Sequence, residues 1–342
     1  MTPHVIAADG GNSKTDLVLA TADGELLAWA RGGRSSPDHV GMAGMTAVIE
    51  ELATRALRDA GRDPTVPAEV GAFMLAGVDL EGDEEAVREA LHARGLARRI
   101  IVGNDTFAVL RAGTANGWGI AVTCGAGINC VGLGPEGASV RYPALGEITG
   151  DWGGGGDLGR AALAAAARSA DGRGPRTALE RAVPAAFGLA DPLEVATAIH
   201  QGRLREERLV ELAPVVIAAA GDDAVAAALL DRLAEEIVAF VRATTPQLGA
   251  NGLPVEVVLG GGLLQAPSAR LRDDVIDRLT ALDPSLRPHV PDDPPIVGAT
   301  LLAMEAAGGD PAAGDRLRAA FAARRAQGAP PAAGVTTQPS GR

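Results

Sequence analysis

Two stretches of this chain, residues 5–27 and 119–142, are written to one plan, and that repetition limits its architecture more than any other feature. The first runs from Val5-Ile6-Ala7-Ala8 into an Asp-Gly-Gly turn, an extended run over 16–21, a turn at Asp23-Gly24 and a third run through Trp29. The second runs from Ile120-Ala121-Val122-Thr123 through a Gly-Ala-Gly turn, an extended run over 130–133, a Pro135-Glu136-Gly137 turn and a third run. Apolar runs punctuated by such turns make β-hairpins. Since each unit opens one half of the molecule, a two-lobed protein is expected, with a ligand held between the two glycine turns.

At 342 residues the chain exceeds the size at which one core stops growing. Helical periodicity over 43–60 (Val48, Leu52, Ala56, Leu57) ends at Gly61, a buried strand is predicted over 70–76, a helix over 84–94, and a strand over 99–103 delivers Asn104-Asp105. The second half is mainly helical, over 157–169, 177–187, 192–201, 204–221 and 223–244. A strand over 255–259 then ends in Gly260-Gly261-Gly262, and Pro294-Pro295 opens an apolar helix expected to return to the first lobe. Alternating strand and helix gives an α/β fold. The expected division is an N-terminal lobe of 1–116 completed by a helix at about 296–308, a C-terminal lobe of 117–295, and a low-complexity, largely disordered tail over 309–342.

A net charge of −12 with no basic tract argues against nucleic acid or an anionic membrane as partner. The longest apolar stretch, 215–230, is broken by Gly221-Asp222-Asp223, and no leader pattern is present, so a cytoplasmic protein is expected. Two cysteines make no disulfide framework and five scattered histidines no zinc pattern. A helix such as 223–244 serves equally as core or as the interface of a homodimer.

Chemistry concentrates in the turns. Lys14 is the only lysine in the chain; every other basic side chain is arginine. It lies in Asp9-Gly10-Gly11-Asn12-Ser13-Lys14-Thr15, where a compact ammonium can fold onto a phosphate inside a tight loop. Glycines here let backbone amides approach a ligand, and an acid at Asp9 suits a Mg2+ held through water against phosphate oxygens. The same residues also suit a type I′ hairpin turn. Gly125-Ala126-Gly127 and Gly261-Gly262 repeat the glycine turn after a strand, and turns converging on one cleft would grip a nucleoside triphosphate such as ATP at its two ends. Asp105 stands where a strand meets a helix, as a proton acceptor or as the cap of a helix beginning at Thr106.

On these segments the chain resembles the ASKHA nucleotide-binding folds of actin and hexokinase type, and within them the BadF/BadG/BcrA/BcrD ATPase family, which includes N-acetylglucosamine kinases. The segments are Ala8 to Thr15, Gly103-Asn104-Asp105, Gly125-Ala126-Gly127-Ile128-Asn129, Gly150-Asp151 and Gly260-Gly261-Gly262. The resemblance implies two RNase H-like lobes and transfer of phosphate from ATP to the 6-hydroxyl of an amino sugar, N-acetylglucosamine or glucosamine. It makes Asp105 the catalytic base, gives Asn104, Asn129 and Asp151 to the sugar, and places Ser36 or Asp38 near the substituent on C2. Where relatives present an asparagine to an acetamide this chain has Ser36, and Asp38 beside it suits a free amino group. Trp152 replaces an acid that usually follows the Gly-Asp pair, to stack on a sugar or to be buried. The alternatives are an ATPase-type activator of a partner enzyme, or a non-catalytic sugar or nucleotide sensor using the same cleft. Cys124 and Cys130, on two arms of one hairpin, do not suit the iron–sulfur cluster that some activators carry.

Overall fold

The computed structural model describes residues 4–266 and 268–328. The chain divides into two units, one comprising the residues up to Gly117 with those from Pro291, the other Trp118–Val290.

In the first unit β1 (His4–Gly10), β2 (Thr15–Thr21), β3 (Leu26–Gly32), β4 (Ala68–Leu75) and β5 (Ala97–Asn104) form a sheet of order β3-β2-β1-β4-β5. The β1-β2-β3 meander is antiparallel, and β1, β4 and β5 run parallel. Both faces are covered, which is why β1 and β2 read as unbroken apolar runs instead of alternating ones. Ile6, Ala8, Leu17 and Leu19 pack with Met45, Ile49 and Leu52 of α1 (Pro37–Asp59) and with Val87 and Leu91 of α2 (Glu81–His92). Their neighbours Val5, Ala7, Val18 and Ala20 pack on the other face with Ala108 and with Ile296 and Val297. Ala108 belongs to α3 (Asp105–Gly113).

The second unit repeats the plan. Here β6 (Gly119–Cys124), β7 (Ile128–Leu133) and β8 (Ser139–Arg141) form the meander. Its helices are α4 (Gly154–Ala170), α5 (Leu179–Phe187), α6 (Pro192–His200), α7 (Ala213–Ala219) and α8 (Ala224–Thr244). After them β9 (Val255–Gly260), α9 (Arg270–Leu282) and β10 (Leu286–His289) complete a sheet of order β10-β9-β6-β7-β8, the same sequence of roles as in the first unit. The expected helix over 204–221 is instead a 3-10 segment, Glu206–Leu212, followed by α7, because Pro214 in the first turn of α7 cannot donate to a continuous helix. Leu230, Leu233, Ala234, Ile237 and Val241 of α8 enter the core, so that face is not free for a dimer.

The chain returns to the first unit through α10 (Pro295–Ala306) and then α11 (Pro311–Ala326). This corrects the expectation of a structureless tail from 309. Asp310 accepts a hydrogen bond from the amide of Ala312 to start α11, Ala313, Leu317 and Phe321 are fully buried, and the Phe321 ring lies 5.3 Å from Trp29. An Ala- and Arg-rich composition disguised an apolar stripe of period four. The remainder of the tail, 329–342, lies outside the described residues. Among the described residues no single helix is long and apolar enough to cross a membrane.

The seating of α10 depends on Gly298, whose backbone touches the backbone of α3: a Cβ there would overlap the Ala108 carbonyl oxygen and lie 2.6 Å from the Ala112 amide nitrogen. Gly298→Ala is therefore expected to lower stability in urea by about 2 kcal/mol, since an overpacked backbone contact cannot relax by rotamer change. A loss below about 0.5 kcal/mol, the range of neutral surface changes, would contradict that seating.

Candidate active site

The parallel strands β1, β4 and β5 end at one edge of the first sheet, where α/β sheets present ligand-binding turns. Asp9, one residue before the end of β1, pairs across with Asp16 of β2, which pairs with Arg31 of β3. Asp16 is buried and fully engaged. It accepts from Trp29 Nε1 at 2.9 Å and from Arg31 Nε and the terminal guanidinium nitrogen at 2.8 and 3.0 Å, and Lys14 Nζ lies 3.2 Å from its second oxygen. Asp16 and Arg31 were missed in the sequence; the signal was an acid and an arginine each one residue inside the end of an otherwise apolar strand.

Desolvation, then repulsion from Asp105 and Asp16, pushes the Asp9 carboxyl up to about 8 against the pull of Lys14 and Arg31. Asp105 sits at the first position of α3. Burial raises its carboxyl to about 6, while hydrogen bonds from the Thr106 and Asp105 amides and the Thr106 hydroxyl hold it down. Asp105 is not the helix cap. Asn104 is, through Oδ1 accepting from the Thr106 amide at 2.9 Å, and its Nδ2 donates to Asp79 Oδ1 at 2.7 Å. Asn104 is 4% exposed, so it is turned inward instead of toward a sugar.

The Asp9–Thr15 turn differs from its sequence reading in two places. Gly10 is buried, with the Ser35 hydroxyl filling the space of its missing side chain, and Thr15 is fully buried, donating to the Gly33 carbonyl at 2.7 Å with Ser35 Oγ 2.8 Å away. Both hold the following turn in place instead of facing a ligand. Asn12, Ser13 and Lys14 are exposed, Gly11 is half-buried, and the turn is closed by the Gly11 amide on the Lys14 carbonyl. Asn12 and Ser13 do not have positive φ, so this is not a type I′ turn. Ser36 is fully buried and its Oγ has no partner among the described residues; Asp38 is exposed. Both press on Gly77 (φ +76°), where a Cβ would lie 2.8 Å from Ser36 Oγ and 2.6 Å from Asp38 Oδ2.

In the second unit three glycine segments meet. The amides of Gly155 and Gly156, in the first turn of α4, donate to the carbonyls of Gly125 and Ala126 at 2.8 and 2.9 Å, and the Leu263 amide donates to the Cys124 carbonyl at 3.0 Å. Gly154 (φ +75°) and Gly261 (φ +88°) are required there. A Cβ on either would lie about 2.5 Å from the Gly127 or Cys124 backbone. The run Gly153-Gly154-Gly155-Gly156 is thus a backbone joint against the β6–β7 turn. Ala126, Gly127 and Gly262 remain exposed around it, with Gly125 and Gly261 half-buried.

Asn129 is 9% exposed and accepts from the Cys130 amide through Oδ1 at 2.7 Å. Asp151 is half-buried, accepts from the Thr149 hydroxyl at 2.5 Å, and with Glu235 adds repulsion that, after burial, raises the Glu236 carboxyl. Trp152 is buried and the Arg232 guanidinium covers its ring at 3.9 Å, which takes up a face a sugar would need. Cys124 and Cys130 are core residues whose thiols burial pushes up to about 12, unsuited to ligation as thiolates.

The raised Asp9 fixes a pH dependence. A carboxyl whose folded value is about 8 against an ordinary 3.8 binds its proton more tightly in the folded state, so stability falls as pH rises between those values. Asp9→Asn is expected to raise the melting temperature at pH 8, to change it little at pH 4, and so to flatten the profile between; an unaltered profile would refute the crowding of charge at Asp9.

This geometry has relatives. The model of the BadF/BadG/BcrA/BcrD ATPase family matches residues 8–303. The chain is 30% identical over 264 residues to the N-acetylmuramic acid/N-acetylglucosamine kinase of Clostridium acetobutylicum, covering 76% of this chain and 85% of that one. The crystal structure of a candidate N-acetylglucosamine kinase from Chromobacterium violaceum superposes with a TM-score of 0.70 at 28% identity, covering 88% of this chain and 99% of the other. A ROK family glucokinase from Streptomyces griseus, solved with glucose and AMPPNP, shares the fold at a TM-score of 0.53 and 17% identity, over 88% and 99% of the two chains. With two repeated α/β units, an acid at the β5–α3 junction and a family match over most of its length, the chain belongs to the BadF/BadG/BcrA/BcrD ATPase family.

Proposed function

We propose that this protein is an ATP-dependent kinase that phosphorylates the 6-hydroxyl of an amino sugar, N-acetylglucosamine or glucosamine. The observation that carries this reading is Asp105: a desolvated carboxyl at the end of a parallel strand, raised to about 6 and so ionised at neutral pH while basic enough to take a proton. Kinship with a kinase of N-acetylmuramic acid and N-acetylglucosamine supports the substrate class.

In this reading Asp105 accepts the proton of the attacking hydroxyl. Lys14 leaves Asp16, which keeps Arg31 and Trp29 as partners, and lies against the phosphates with the exposed turn of Asn12 and Ser13. The exposed rim of the glycine joint in the second unit, Ala126, Gly127 and Gly262, holds the nucleotide, and Asp151 and Asn129 serve the sugar. Asp9 suits a Mg2+ shared with phosphate and reached through water: among the described residues no three acidic, histidine or cysteine side chains gather as a cage, while the crowded carboxylates at Asp9 would be relieved by a divalent cation. When bound, that ion supplies charge neutralisation on the transferring phosphoryl group. The reading includes a cytoplasmic location.

Asp105→Ala is expected to bind nucleotide and sugar but to lose turnover by roughly 10²–10⁴-fold, and wild-type kcat/KM should rise with pH through about 6 as the base ionises. Coupled ADP release tests both; near-normal turnover by the variant would refute the assignment, and sugar-independent ATP hydrolysis would favour an activator instead.

Of the two residues expected near the C2 substituent, this reading gives the exposed Asp38 to it, while the fully buried Ser36 stands behind it against Gly77. In side-by-side assays of glucosamine, N-acetylglucosamine, N-acetylmuramate and glucose, an amino sugar should rank first. Asp38→Asn should lower kcat/KM for glucosamine by about tenfold relative to N-acetylglucosamine if that carboxylate reads a free ammonium group; equal losses on both would remove Asp38 from specificity.

A further inference from the structure

The loop after β4 carries an acid that no feature of the sequence reading singled out. Asp79 is half-buried, and its Oδ1 accepts from Asn104 Nδ2 at 2.7 Å. Strand β5 ends at Asn104 and α3 begins at Asp105, so no loop separates them, and the direction of the Asp105 side chain follows from how the first turn of α3 is set. That turn is set by Asn104, whose Oδ1 accepts from the Thr106 amide at 2.9 Å. An amide has one acceptor end and one donor end. Facing the wrong way, Asn104 would oppose its NH2 to the Thr106 N–H and its oxygen to the Asp79 carboxylate, two repulsive contacts in a site 4% exposed.

Asp79 is held in turn from both sides. Its own amide and that of Leu80 donate to Asp83 Oδ2 at 3.3 and 2.9 Å, and Gly77, two residues earlier, lies with positive φ against Ser36 and Asp38. The Ala76 amide donates to the Gly10 carbonyl at 2.8 Å, which ties the same loop to the Asp9–Lys14 turn. A neutral carbonyl would satisfy Asn104 Nδ2 equally well for folding alone. A carboxylate at this edge adds negative charge to a neighbourhood that already holds Asp9, Asp16 and Asp105, and in return makes a charge-assisted hydrogen bond, shorter and stronger than a neutral one.

We propose that Asp79 is a positioning residue for phosphoryl transfer: acting through Asn104, it fixes the start of α3 and thereby the aim of the Asp105 carboxylate. The proposal rests on the assignment of Asp105 as base. It places the effect of Asp79 in kcat, because the residue orients the base without holding either substrate.

The test compares Asp79→Ala with Asp79→Asn, which keeps an acceptor oxygen for Asn104. Asp79→Ala is expected to lower kcat by about tenfold or more with KM for sugar and ATP within about twofold, and Asp79→Asn to recover most of that loss. Amide hydrogen exchange in the full chain gives a readout independent of turnover: the Thr106 amide should exchange at least about tenfold faster in Asp79→Ala, and near the wild-type rate in Asp79→Asn. Should Asp79→Ala fail to fold, Asn104→Asp, which sets two carboxylates against each other, should show the same kcat loss and exchange increase, and the double variant Asn104→Asp with Asp79→Asn should reverse them by restoring a donor and acceptor pair. Unchanged kcat and exchange in Asp79→Ala, or a raised sugar KM in Asp79→Asn as large as in Asp79→Ala, would overturn the proposal. A wild-type protein that phosphorylates no hexosamine would overturn the kinase reading, and the exchange data would still decide whether Asp79 sets the turn.

Discussion

Negative charge crowded at the carboxyl ends of β1 and β5 is the constraint around which the first unit is organised. Asp105 and Asp16 both repel the desolvated Asp9, and the unit tolerates the three acids by giving each a different solution. Asp16 is neutralised by a two-point bond from Arg31 and a third donor from Trp29. Asp105 is held down by amides at the start of α3, which also present the positive end of that helix. Asp9 has only the pull of Lys14 and Arg31, which does not offset burial and repulsion, and it stays protonated well above the ordinary carboxyl range. This least compensated acid is the one suited to a cation, and the ionised Asp105 is the one suited to a proton.

Rigidity at this edge comes from the turns and not from the sheet alone. The 10–15 turn, the 33–36 segment, the loop after β4 and the β5–α3 junction are linked by Thr15 to Gly33, the Ser35 hydroxyl in the space of Gly10, Ala76 to Gly10, and Asp79 to Asn104. Several polar residues that look like ligand contacts in the sequence spend their hydrogen-bonding capacity on these links. In the second unit the glycines do comparable work: they let the start of α4 and the loop after β9 press backbone to backbone on the β6–β7 turn, leaving only its rim exposed.

Much of this is legible in the amino-acid sequence. The doubled hairpin, the alternation of strand and helix, the strand-end acids and the glycine turns follow from local patterns, because turn chemistry and apolar periodicity are properties of neighbouring residues. Asp105 was correctly placed at a strand–helix junction, yet its two readings, base or cap, could not be separated by spacing; Asn104 takes the cap. The helix α11 was missed since its alanines and arginines resemble a low-complexity tail until Leu317 and Phe321 are seen in the core.

Local patterns along the chain suffice for the repeat, the α/β class and the family, for these are encoded in short segments whose meaning does not depend on distant partners. Which polar side chains face outward and which are tied inward emerges only once the chain is folded: that Asp16 is held by Arg31, that Arg232 covers Trp152, and that Asp79 stands behind Asn104. The reason is physical: a hydrogen bond or a desolvated charge is satisfied in space, by a partner 25 residues away in the case of Asp79 and Asn104, and no local pattern announces which partner it will be.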